Sequence, residues 1–130
     1  MDSIFTKIIN REIPAYIIEE NDDFIAFLDV FPLAKGHTLV IPKKQVDYIF
    51  DLDDDTYARL FSFAKKIAAK VNSAIDCKRV GVAVIGLEVP HAHIHLVPLN
   101  TIEDINFSRP KLKLEESVFI EIHNKILSQK

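Results

Sequence analysis

The chain has 130 residues, 48% apolar and 27% charged, enough for one folded domain with a real core and too few for two. A formal net charge of −3, with no basic run longer than a pair, excludes a general binder of nucleic-acid polymers. The single cysteine, Cys77, excludes an intramolecular disulfide and a Cys-based zinc site; without a signal-like start or a stretch of spanning length, we expect a cytoplasmic protein away from membranes.

Asp2 or Ser3 can cap a short helix whose apolar stripe is Ile4, Phe5, Ile8 and Ile9, and Pro14 closes that region. A strand is predicted over Tyr16 to Glu19, then a turn at Asn21-Asp22-Asp23, then a continuous apolar strand from Phe24 to Leu28 closed by Asp29. Val30 to Gly36 reads as a loop. His37 to Ile41 reads as a third strand, stopped by Pro42. Gln45 to Phe50 suits a helical turn. Beyond it the acidic run Asp51 to Asp55 complements the dipole of a long helix from about Asp53 to about Asn72. Tyr57, Leu60, Phe61, Ala64, Ile67, Ala68 and Val71 recur at helical spacing as its buried face. A strand from Arg79 to Ile85 is followed by a tight connection, Gly86 to Val89, and a partner strand, which together predict an antiparallel hairpin. Asn100 to Lys113 has little pattern and reads as a loop. Glu115 to Leu127 forms a last amphipathic helix with Val118, Phe119, Ile122 and Ile126 on one face and His123 at the surface. The order of elements predicts an α+β fold: an antiparallel five-stranded sheet, one long helix and a C-terminal helix, in a single domain over residues 1–130.

The stretch that carries chemistry is Pro90-His91-Ala92-His93-Ile94-His95-Leu96-Val97-Pro98. In a strand, side chains alternate between faces, so three histidines at alternate positions point one way, roughly 6.5–7 Å apart per two-residue step. Ala92, Ile94 and Leu96 point the other way, into a core. One strand face thus carries three groups that titrate near neutral pH, which core filling does not require. Two chemistries suit such a row. Imidazoles can chelate a transition metal, or one neutral imidazole can attack an electrophile while its neighbours orient it and hold developing charge.

His91-Ala92-His93-Ile94-His95-Leu96-Val97 resembles the signature of the histidine triad (HIT) family. The resemblance extends to Asp2-Ser3-Ile4-Phe5-Thr6-Lys7-Ile8-Ile9 and Glu12-Ile13-Pro14-Ala15, which look like the opening of the Hint branch. It extends also to Ala26-Phe27-Leu28-Asp29-Val30 and to Gly36-His37-Thr38-Leu39-Val40-Ile41-Pro42-Lys43-Lys44. The resemblance implies cleavage at the α-phosphorus of a purine nucleotide through a covalent nucleotidyl-histidine intermediate. Phosphoramidates, acyl-adenylates and dinucleoside polyphosphates are the implied substrates. His93 maps onto the family's nucleophile, His91 and His37 onto residues that line and order the site, and His95 onto a phosphate contact. Asp29 maps onto a ribose ligand, and Phe5, Ile8, Ile13, Phe27 and Val30 onto an apolar slot for the base. The family's habit implies a homodimer that uses the long helix, with neither a cofactor nor a resident metal.

The segment before the triad departs from the pattern. Many relatives carry an Asn, a Gly-rich loop and a Gly-Gln ahead of the histidines; here Gly86-Leu87-Glu88-Val89 follows directly on Ile85. Leu87 stands in place of the Gln, and Glu88 holds the position that contacts the phosphate or leaving group. Each neutral donor lost from a site of developing charge costs roughly 10²–10³ in rate. Slow turnover or a shifted substrate is therefore expected, and the competing reading is a nucleotide-binding regulatory module with weak or no catalysis.

Overall fold

The computed structural model describes residues 1–129. Its elements are α1 (Ile4–Ile9), β1 (Ile17–Glu20), β2 (Phe24–Leu28), β3 (Thr38–Pro42), a 3-10 turn (Ile49–Asp51), α2 (Asp54–Ala74), β4 (Arg79–Ala83), β5 (Ile94–Leu99), a second 3-10 turn (Ile102–Ile105) and α3 (Glu116–Leu127). The five strands form one antiparallel sheet in the order β1-β2-β3-β5-β4, so the expected α+β architecture holds. β2 and β3 are continuous apolar runs because they are buried on both faces. On one face Ala26, Leu28, Val40, Ile94 and Leu96 pack under α2 and α3; on the other Ile25, Phe27, Leu39 and Ile41 pack under Phe5 and Ile8 of α1.

The long helix begins where its charges predict, with the Asp53 carboxylate accepting from the Thr56 amide at 2.7 Å. Leu60, Phe63, Ala64, Ile67 and Val71 are its buried residues. Tyr57, Phe61 and Ala68 lie half-buried at the margin, because the apolar stripe is wider than the groove it fills. His123 is not a surface residue. It is half-buried, donates from Nε2 to the Ile17 carbonyl at 2.6 Å and lies edge-on to Tyr16, which pins α3 to β1.

The hairpin differs from its sequence reading. β4 ends at Ala83 and β5 starts at Ile94, so the connection runs over residues 84–93 and takes in His91 and His93. Gly86 sits at φ +76 and Pro90 has no amide hydrogen, so neither can extend the ladder. The chain instead turns, with the His91 amide on the Val89 carbonyl, and the Ala92 amide crosses to the Val46 carbonyl at 2.7 Å. Gly36 makes the tight turn into β3 at φ +93, where a Cβ would lie 2.8 Å from Ile75 Cγ1. That turn places His37 at the end of β3, beside β5.

A four-histidine site on one face of the sheet

Although two of the triad residues precede the strand, the alternation survives. Ala92, Ile94 and Leu96 belong to the helix-covered core, and His91, His93 and His95 turn to the α1 face. The rings converge more than strand spacing alone requires, the His93 and His95 centroids lying 4.8 Å apart. His37, the residue just before β3, joins them, its Nε2 at 3.0 Å from His95 Nδ1 across 58 residues of sequence. All four are buried.

Their hydrogen bonds fix the protons. His91 donates from Nε2 to the Pro42 carbonyl at 2.7 Å, and its Nδ1 accepts from the Ser3 hydroxyl at 2.8 Å. Ser3 also caps α1, its oxygen accepting from the Thr6 amide. Gln45 fastens this corner, accepting from the Ser3 amide and the Thr6 hydroxyl while donating to the carbonyls of Met1 and Pro90. His93 donates from Nδ1 to the His91 carbonyl at 2.7 Å, which leaves its lone pair on Nε2. Every buried side-chain nitrogen and oxygen among the described residues has a partner, and His93 Nε2 has none, so that nitrogen opens to the surface.

A second chain of bonds starts at the backbone. The Leu33 amide donates to His37 Nδ1 at 3.0 Å, so His37 carries its proton on Nε2 and points it at His95 Nδ1. His95 then carries its own proton on Nε2, a donor with no protein partner among the described residues. A lone pair on His93 and a donor on His95 therefore stand side by side. One suits attack on an electrophile, the other an oxyanion.

Burial keeps these rings neutral. It pushes His37 and His95 down from 6.5 to about 3, helped by the neighbouring imidazoles and Lys111. It lowers His91 and His93 as well, against the carbonyls that their protons face and, for His93, against Glu88. Asp29 moves the other way, from 3.8 to about 6, because burial outweighs the Phe31 amide and Lys111. Its Oδ2 lies 3.6 Å from His37 Nε2. That distance is too long for a hydrogen bond, and both groups shift toward their neutral forms, so the contact is not an ion pair.

Ligand atoms of Asp29, His37 and His95 lie within 4.8 Å of one another, the spacing of a metal site. The donor set does not fit one. A metal on His37 Nε2 would force the ring proton onto Nδ1, against the Leu33 amide, setting two donors face to face. The triad rings themselves do not converge on one point either, since both nitrogens of His91 are engaged.

Of the residues expected to form an apolar slot, Phe5, Ile8 and Phe27 are buried in one cluster and Ile13 packs against it. Phe5 is the member that reaches the histidines, edge-on to His93 at 5.0 Å and His91 at 5.8 Å. Phe27, 2% exposed, lies beneath Phe5 as support. Val30 is 48% exposed and stands outside the cluster, and Glu88 is exposed. A cleft of about 250 Å³ opens beside His93 between Tyr48 and Phe50 on one side and Val84 and Ile85 on the other.

Two residues beside the rings come from the segment read as patternless. Phe107 packs edge-on over His95 at 4.7 Å and His37 at 6.2 Å, and the Lys111 ammonium lies 5.5 Å above the Phe107 ring. An aromatic and a lysine flanking Ser108-Arg109-Pro110 were the only available signal.

A family model for the HIT domain matches residues 10–102. The chain is 39% identical over 133 residues to an uncharacterized HIT-like protein of Borreliella burgdorferi, covering 96% of each. It superposes with a TM-score of 0.83 and 32% identity on a HIT-like protein involved in cell-cycle regulation from Bartonella henselae, over 98% of this chain and 95% of that one. A HIT family hydrolase from Legionella pneumophila Philadelphia 1 is similar at 34% identity and a TM-score of 0.63, over 73% of this chain and 90% of that one.

Proposed function

Since the chain belongs to the HIT family, we propose that it is a nucleotide hydrolase or transferase acting at the α-phosphorus of a purine nucleotide. The observation that carries this reading is the pairing of an Nε2 lone pair on His93 with an Nε2 proton on His95, each fixed by the bond at the opposite nitrogen. His93 attacks phosphorus, the P–N bond forms as the bond to the leaving group breaks, and the departing amine, carboxylate or phosphate takes up any proton it needs from solvent. Water then attacks the nucleotidyl-His93, loses a proton and frees the nucleotide. In such transfers the negative charge spreads over the phosphoryl oxygens, so a preplaced neutral donor such as His95 assists at little reorganisation cost.

His91 and His37 position the other two rings; Asp29 and the Phe5 cluster hold ribose and base, and Glu88 faces the leaving group. Residues 1–130 act as one domain, and two copies pair. β4 is an edge strand with Val82 exposed, and Val84 and Ile85, just beyond its end, are exposed too, beside Tyr48 and Phe50 of the aromatic row that continues to Tyr57 and Phe61. Light scattering should return twice the chain mass; the mass of one chain at micromolar concentration refutes the pairing.

The direct test of activity is incubation with adenosine 5′-phosphoramidate, followed by phosphorus NMR and by mass spectrometry of the acid-quenched and the base-quenched protein. Release of adenosine monophosphate, with an adenylyl group on the peptide that contains His93, is the expected result. Nucleotide binding without any turnover would favour the regulatory-module reading, toward which Leu87 and Glu88 already lean.

A further inference from the structure

Lys111 is unusual among the lysines of the described residues. Lys43 and Lys70, also half-buried, each meet a glutamate, Glu20 and Glu19 respectively. Lys111 is half-buried with no carboxylate in ion-pair range among the described residues, and its ammonium donates to a neutral acceptor, the Phe107 carbonyl, at 3.0 Å. A partly desolvated ammonium without a counter-charge is costly to keep, unless an anion comes to it.

Its surroundings say where that anion would be. Phe107, under the ammonium, packs on His95 and His37. The Leu112 amide bonds the Pro32 carbonyl at 2.8 Å, tying the far end of the segment to the loop that leads into His37. The segment from Phe107 to Leu112 is thus strapped across the histidine face, with the lysine on it. The lysine's field reaches the site, since it lowers the pKa of Asp29, His37 and His95 alike. The site itself offers no other positive charge: its imidazoles are neutral, and Asp29 and Glu88 can only add negative charge.

Resting on the reading of the site as a nucleotide site, we infer that Lys111 binds the substrate's phosphate, its ammonium leaving the Phe107 carbonyl for a phosphoryl oxygen beside His95. The lysine supplies the charge that the histidines lack. It also offsets the repulsion from Glu88, which would otherwise weaken an anionic ligand. Phe107 keeps the aliphatic stem in place and screens that oxygen from water.

Calorimetric titration of the full chain and of Lys111→Met and Lys111→Arg, with adenosine monophosphate and with adenosine, tests this. For Lys111→Met we expect monophosphate affinity to fall about tenfold or more, the loss expected for one charge-assisted hydrogen bond. Adenosine affinity should not change, and Lys111→Arg should recover most of the loss. Wild-type monophosphate binding should weaken with added salt more steeply than that of Lys111→Met. If Lys111→Met binds the monophosphate as tightly as wild type does, the lysine's role is refuted and the nucleotide site stands. If wild type binds neither ligand, the nucleotide reading fails and takes the lysine's role with it.

Discussion

Replacing His93 by alanine is expected to lower turnover of an adenosine phosphoramidate by about 10⁴-fold or more, the scale seen when a covalent nucleophile is removed from a preorganised site. The reason is specific to this ring. Its Nδ1 proton is committed to the His91 carbonyl at 2.7 Å, so the lone pair faces outward, and burial holds the ring neutral. No neighbour can take over. His91 spends both nitrogens on Ser3 and Pro42, and His95 presents a proton rather than a lone pair. His95→Ala should cost less, roughly 10²–10³, the usual loss for one donor to developing charge. Nucleotide affinity should largely survive His93→Ala: the change costs Phe5 its edge contact with that ring but leaves Phe5, the residues packed around it and Asp29 in the chain. Turnover by His93→Ala within tenfold of wild type would remove the covalent mechanism.

Acid should destabilise the fold well above the pH at which carboxylates protonate. His37 and His95 are held near 3, against 6.5 for the free side chain, so their contribution is complete above about 6.5 and is lost as pH falls toward 3. Asp29, raised from 3.8 to about 6, acts in the opposite sense: its contribution is present at low pH and is lost as pH rises through 6. Between pH 7 and pH 5 the two imidazoles outweigh the one carboxyl, and the net loss is about 2–3 kcal/mol at 1.36 kcal/mol per pKa unit. Urea unfolding at the two pH values measures it. His37→Gln, which removes one of the two titrating rings, should lessen the fall by about 2 kcal/mol. Stability at pH 5 equal to or above that at pH 7 would show that these rings are not buried neutral.

Removing Ser3 should act on both levels. Its hydroxyl caps α1 and holds His91 Nδ1, and the loss of a cap alone costs about 1 kcal/mol. The larger lesson of that contact is its range, 88 residues along the chain.

Local chemistry in the sequence determined much of this protein. Runs of apolar residues set β2 and β3, an Asp cap and a helical stripe set α2, and the alternation of His91, His93 and His95 with Ala92, Ile94 and Leu96 put three imidazoles on one side. Each of those signals lies within a few residues, so periodicity and capping expose it. Tertiary structure decided what the imidazoles do. Which nitrogen carries the proton depends on the Leu33 amide and the His91 carbonyl, both near in sequence to the rings they hold. It depends also on the Pro42 carbonyl, the Ser3 hydroxyl and the His37 ring, 49, 88 and 58 residues from the histidines they meet and brought close by the sheet register and the Gly36 turn. The same holds for Phe107 and Lys111. A loop without a repeating pattern leaves no trace of its destination, because its path is fixed by single hydrogen bonds to distant backbone rather than by an apolar face.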